Sequence, residues 1–221
     1  MVGVNWIIWG ARGHAAVLAD LITLTGGRPV ACFDNDPAAP GSVLGIKNLG
    51  GFGQFQEWMR RDAPKHLSGA VGIGGSRGVE RRRIMHDFLN LGISAPPLIH
   101  PSAQVASSAS IGLGSQVLAM SHVGSRASIG SGCVINSAAS IDHDVILEDG
   151  VHVAPGVTIC GEVRLGRDVF VGAGATVLPR LLIGAEAGVG AGATVTRSVA
   201  SATWVWGTPA RAKMRREIKK S

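Results

Sequence analysis

Residues 123–164 read VGSRAS IGSGCV INSAAS IDHDVI LEDGVH VAPGVT ICGEVR, in-phase hexads that each open on an aliphatic residue. The register runs unbroken through residues 99–200, from the anchor Ile99 to the anchor Val195. A second small or aliphatic residue stands four places after each anchor, as at Ala139, Val145, Val151, Val157 and Val163. Neither a helical period near 3.6 nor a strand alternation of 2 produces a strict six with a second apolar site at plus four. A β-solenoid does, because each six-residue side supplies one inward anchor and one small corner residue, and stacked coils bury a continuous narrow core. If three hexads close a triangular coil, residues 18 apart are stacked neighbours, about 4.8 Å from one another. Glycine at plus one, as in Gly112, Gly124, Gly130, Gly166, Gly172, Gly184 and Gly190, predicts corners with unusual backbone dihedrals.

The repeats claim a little under half of the 221 residues, so two domains are expected, residues 1–97 and 98–221. A hydrophobic content of 46% with 32 Gly and no Tyr fits a core of small aliphatics. The net charge of +6 suggests nucleic acid until it is located. Arg211, Lys213, Arg215, Arg216, Lys219 and Lys220 crowd the end of the chain, and no aromatic platform or recognition motif accompanies them, which reads as a solvated helical tail. Cys32, Cys133 and Cys160 are isolated and odd in number, so neither a disulfide framework nor a zinc knuckle is indicated and reduced cysteines in the cytoplasm are expected. Met1 to Ala11 lacks a basic leader and reads as a buried strand, and no apolar run is long enough for membrane insertion.

The first 97 residues alternate in the manner of a βαβαβα unit. A strand at Trp6-Ile7-Ile8-Trp9 enters the turn Gly10-Ala11-Arg12-Gly13-His14 and a helix to Thr25. Val30 to Phe33 is a second strand ending in Asp34-Asn35-Asp36, followed by a helix near Phe52–Arg61. A third strand, Ala70 to Ile73, ends in Gly74-Gly75-Ser76 before a helix from about Val79 to Leu91. Ligands of such sheets lie at the carboxyl ends of the strands, where amides after Gly13 suit phosphate oxygens and an acid after the second strand suits a ribose. The third glycine of the dinucleotide fingerprint is absent, so a mononucleotide fits better than NAD.

These motifs, the Gly-Ala-x-Gly-His turn, the Asp-rich second strand end and Leu98-Ile99-His100-Pro101 leading into hexads, resemble one family over nearly the whole chain. It is the bacterial hexapeptide-repeat acetyltransferases acting on nucleotide-linked 4-amino-4,6-dideoxy sugars, with their sialic acid O-acetyltransferase relatives. The resemblance implies a small Rossmann-like α/β domain followed by a left-handed parallel β-helix. It further implies acetyl-CoA as co-substrate, a homotrimer with active sites between subunits, and the nucleotide part of the substrate held by the small domain, at Gly10, Ala11, Arg12, Gly13, His14, Asp34, Asn35, Asp36, Gly74 and Gly75.

Within the solenoid, His143 stands at plus two, an outward position, between Asp142 and Asp144. An imidazole bonded to a carboxylate is fixed in one tautomer and made more basic, as a general base requires. Eighteen residues on is Gly161, which leaves a slot for a thioester and bares a backbone N–H for the oxyanion. His152 also faces outward but lies half a coil away, so the two histidines are expected to meet across a subunit boundary. By resemblance, His143 is the catalytic base, Asp144 its orienting acid, Gly161 the oxyanion position, His152 a contact near the acetyl group and Asn136 a residue near the substrate amine. Gly172-Ala173-Gly174 and Gly190-Ala191-Gly192 would line the pantetheine groove, and Gly207-Thr208-Pro209-Ala210-Arg211 matches the family's ending. Asp142 reads as a corner residue, with a role as the orienting acid as its alternative, and His100 and His122 as solvated.

The reaction expected is acetylation of the sugar's 4-amino group, with O-acetylation of sialic acid or another sugar as the alternative. A zinc carbonic anhydrase on the same solenoid needs histidines on stacked coils, and the spacing of His122, His143 and His152 does not supply them, so no metal is expected. The large amino-terminal domain of a nucleotidyltransferase is missing. A non-catalytic scaffold is the remaining class and would not bind CoA.

Overall fold

The computed structural model describes residues 4–212. The hexads form the expected parallel solenoid, its three faces being sheets of six, five and eight short strands. The stacking interval is 18: His122 pairs with Ser140 and Ser140 with Thr158 on one face, and Val134 with His152 and His152 with Phe170 on another. Ile135, Ile141, Leu147, Val153, Ile159 and Leu165 are at most 1% exposed, so the anchors fill the prism axis.

One expectation about the glycines is corrected. The left-handed backbone lies at plus three of the hexads: at Gly132, Gly150 and Gly174 where glycine is present, and at Arg126, Asp144, Glu162 and Asp168 where it is not. The plus-one glycines serve a different need. A Cβ on Gly124 would come within 2.8 Å of the Asp142 carbonyl carbon, and one on Gly172 within 2.6 Å of Ala191 N. Glycine at plus one lets the next coil close down onto it.

The amino-terminal unit is a three-stranded parallel sheet, β1 (Asn5–Trp9), β2 (Arg28–Phe33) and β5 (Leu67–Val71), in the order β2-β1-β5. A short antiparallel hairpin, β3 (Ser42–Val43) with β4 (Ile46–Lys47), interrupts the pattern and has no signal in the apolar periodicity. Alternation along β1 sends Trp6 and Ile8 to the face covered by α1 (Gly13–Leu24), and Ile7 and Trp9 to the face covered by α2 (Phe52–Arg61) and α3 (Gly78–Asn90). The second face is aromatic, with Phe55 edge-on to Phe33 and Trp9 at centroid distances of 5.1 and 5.6 Å. Among the described residues no helix is long and apolar enough to cross a membrane. The basic tail falls on residues 213–221, outside those described.

The two units are joined through α3. Arg81 is 1% exposed and donates to four carbonyls: Ile73 and Gly75 beyond β5, and Gly132 and Gly150 on successive coils of the solenoid. Arg82 forms a two-point ion pair with Asp168, at 3.0 and 2.6 Å. Burial pulls the Arg81 guanidinium down to about 10, still cationic at neutral pH. Arg81→Met keeps the bulk but strands three buried carbonyls, each costing about 1–3 kcal/mol when unsatisfied, and frees the half-buried one of Gly75. Urea denaturation of that variant is expected to show a loss of at least roughly 3 kcal/mol; a loss below about 1 kcal/mol would contradict the clamp.

Candidate active site

The turn after Ile141 builds the first part of the site. Asp144 occupies the left-handed plus-three position, φ 58°, a conformation that Asp tolerates better than most residues. From there its carboxylate turns back to His143, accepting from Nδ1 at 2.8 Å. That bond leaves the Nε2 lone pair of the half-exposed ring facing outward. Asp142 instead accepts from the His143 backbone N–H at 2.7 Å, a corner role, and does not reach the ring.

Arg126, unassigned in the sequence reading, is 18 residues before Asp144 and grips the same carboxylate with Nε and Nη2, both at 2.7 Å. Arg126 first, and His143 second, hold the Asp144 carboxyl down at about 2, so it stays ionised throughout the working range. The carboxylate in turn raises the His143 imidazole above its ordinary value, with the charge of Asp142 as the next cause. The stacking interval that places Gly161 one coil above His143 places Arg126 one coil below Asp144.

Gly161 lies directly over the imidazole. A Cβ there would sit 2.6 Å from His143 Nε2, so the bare glycine makes room for the ring and for anything bound against it. At some other plus-two positions the N–H is taken by a side chain, as when Ser131 N donates to Asp149 and Arg167 N to Glu148. Among the described residues the Gly161 N–H has no acceptor. A cradle that a Cβ would fill, lined by an unpaired donor and an imidazole nitrogen, fits the thioester end of CoA.

The strand ends of the small domain converge as the motifs imply. A cleft of about 270 Å³ is lined by Gly10, Ala11, Arg12, His14, Asp34, Asn35, Asp36 and Gly74. Gly10, φ 115°, packs against the Gly72 carbonyl, which a Cβ would strike at 2.8 Å. Asp34 accepts from Ala11 N at 3.0 Å and fixes the turn, while Arg12 pairs with Asp36 at 2.6 Å. Gly13 opens α1 with room where its Cβ would be. Gly75 is left-handed at φ 68° beside that cleft. His14 Nε2 lies 2.7 Å from the side-chain oxygen of Gln116, whose amide donates to Val71 O at 2.9 Å. Gln116, on the first coil, escaped the sequence reading because only the fold brings it under the glycine turn.

His152 requires a correction. It projects from the solenoid, but α3 and the segment after β5 close over that face, so it is 5% exposed rather than open to solvent. Its ring meets Gly74 and stands edge-on to Phe170 at 5.5 Å. Burial, then the charge of Arg81, pushes its pKa down to about 3, so it is neutral, and its Nδ1 has no partner among the described residues. His143 follows the anchor Ile141 on one face of the prism, and His152 directly precedes the anchor Val153 on another. Asn136 accepts from Ser137 N, and no contact with His143 is seen among the described residues. Gly172 and Gly190 are buried under Ala191 and Trp206, whereas Ala173 and Ala191 are exposed at the turns.

Histidine ring NMR checks the electrostatics. Asp144→Asn removes the group that favours imidazolium, so the His143 titration is expected to move to lower pH. Arg126→Ala removes a neighbouring positive charge and is expected to move it higher. The reverse order of the two variants would contradict the assignment.

The amino-terminal region, residues 5–88, matches the family model described as PglD N-terminal domain. No match was found among curated proteins. A mutant of perosamine N-acetyltransferase from Caulobacter crescentus, solved with CoA and GDP-perosamine, is 31% identical with a TM-score of 0.87, over 95% of this chain and 96% of that one. The acetyltransferase domain of PglB from Neisseria gonorrhoeae, solved with acetyl coenzyme A, is 30% identical with a TM-score of 0.85, over 96% and 100%. WeeI from Acinetobacter baumannii, at 18% identity and a TM-score of 0.62, shares the fold. With this solenoid, this glycine turn and these likenesses over nearly the whole chain, the protein belongs to the PglD-like family of hexapeptide-repeat, acetyl-CoA-dependent sugar N-acetyltransferases.

Proposed function

We propose that this chain transfers the acetyl group of acetyl-CoA to the 4-amino group of a nucleotide-linked amino-dideoxy sugar, in a groove between protomers of a homotrimer. The observation that carries this reading is the stack of Gly161 on His143, with Asp144 behind the imidazole. His143 Nε2 takes a proton from the amine as its nitrogen bonds to the thioester carbonyl carbon. The Gly161 N–H donates to the oxyanion, supplying charge stabilisation only where charge develops. Collapse breaks the C–S bond, and the imidazolium returns its proton to the departing thiolate. The products are an amide and CoA.

Half of the His143 side chain is bare in a single chain, which leaves room for a second wall from another copy of the chain. By the family resemblance His152 would stand near the acetyl end and Asn136 near the amine; with its ring buried and neutral, His152 would act there by shaping the wall rather than through its covered Nδ1. Ala173 and Ala191, at successive turns above, would flank the pantetheine arm. The strand-end cleft of the small domain would take the nucleotide, with phosphates at the start of α1. The GDP-linked amino sugar bound to the Caulobacter relative supports a nucleotide sugar as the acceptor.

His143→Ala is expected to lower kcat by about 10²–10⁴, the usual worth of general base catalysis, with CoA affinity and assembly unchanged. Thiol release from acetyl-CoA with a panel of nucleotide-linked amino sugars reads this out; unchanged turnover would remove the base. The same assay run against pH should show activity falling on the acid side, as the raised His143 imidazole becomes protonated. Sialic acid as the only productive acceptor would favour O-acetylation instead.

A further inference from the structure

The cleft that holds the glycine turn opens into a second one of about 270 Å³, and the two share Trp9 and Asn35. Taken as one, they are of the size of small-molecule sites, about 300–1,000 Å³. The second cleft has an aromatic floor and a charged rim. Phe52 is 42% exposed and offers an apolar ring of the kind on which a base stacks, with the buried Trp9 tilted behind it at 6.3 Å. Asn35 accepts from Phe52 N at 3.0 Å, and its amide NH2 has no partner among the described residues. On the rim, Arg83 and Asp87 stand one turn apart on α3, side by side on its surface. Among the described residues neither has an ion-pair partner, not even the other.

We infer that this cleft reads the base of the nucleotide and selects guanine, an inference that rests on the nucleotide-sugar reading above. Around the edge of guanine the groups run N2–H, N1–H, O6, N7: two adjacent donors, then two adjacent acceptors. A carboxylate accepts the first pair and a guanidinium donates to the second. Asp87 followed by Arg83 along the rim presents that complement. Uracil and thymine run acceptor, donor, acceptor, and leave one carboxylate oxygen facing a carbonyl. Adenine offers Asp87 one donor beside a lone pair. With the base stacked on Phe52, Asn35 lies between it and the phosphates, in the turn that also carries Asp34 and Asp36. None of this was visible in the motifs, because Arg83 and Asp87 sit on a helix that otherwise reads as an ordinary solvated face.

Calorimetric titration of the full chain with GDP, IDP, UDP and dTDP tests this. IDP differs from GDP only in lacking the N2 amine, and a two-point base contact discriminates by about tenfold or more. GDP is expected to bind at least about tenfold more tightly than each of the others. Asp87→Asn should abolish the preference for GDP over IDP while leaving UDP unchanged. Arg83→Ala should weaken GDP and IDP alike, since both carry O6 and N7. UDP or dTDP binding as tightly as GDP, or a GDP-to-IDP ratio untouched by Asp87→Asn, would overturn the base assignment and leave the nucleotide-sugar reading standing. If CoA bound and none of the four nucleotides did, the nucleotide-sugar reading itself would fall, and guanine selection with it.

Discussion

Successive coils of the solenoid approach to the spacing of a parallel β-ladder, and every turn must meet that spacing three times per coil. Two backbone demands follow at the corners. At the plus-one positions that carry glycine, a side chain would enter the coil above, as the 2.8 Å and 2.6 Å approaches at Gly124 and Gly172 record. At plus three, the chain must adopt left-handed dihedrals to re-enter the next side. The site exploits the second demand. A left-handed Asp144 is aimed back along its own turn, so the residue that satisfies the corner also fixes the imidazole beside it. Arg126 one coil below and Gly161 one coil above then act on the same pair by stacking alone.

The small domain is fastened to this scaffold with charge as well as apolar contact. Among the described residues Arg81 has no ion-pair partner and is satisfied by carbonyls from both units, an arrangement that costs desolvation but dictates one relative orientation. The same cation depresses His14 and His152 after burial has done so, and keeps both rings neutral. Neutral His14 can then hold one tautomer against Gln116, directly beneath the glycine turn. The strand-end cleft and the solenoid face are in this way parts of one rigid frame.

Much of this was legible in the residues. The period of six decides the solenoid because no other regular structure repeats at that interval, and the interval of 18 places Gly161 over His143 before any coordinate is known. Arg126 was within reach of the same ruler. The burial of His152 was not, since a hexad shows only that a side chain leaves the prism, not what lies over it. Gln116, Arg81 and the rim pair Arg83 and Asp87 escaped for a related cause: each acquires its role from contacts or cleft walls made by segments far away in sequence, and nothing local marks them. The plus-one glycines were located correctly but explained by dihedral freedom, when close approach of the neighbouring coil is the reason.

The central claim is that coil stacking assembles a base and an oxyanion donor around a thioester. A crystal structure of the protein with CoA measures it most directly. The account predicts the CoA sulfur within roughly 3–5 Å of His143 Nε2, near-attack range, with the Gly161 N–H turned toward the space where the acetyl oxygen would lie. A sulfur on a different edge of the prism, beyond about 10 Å from His143 of every protomer, would contradict it.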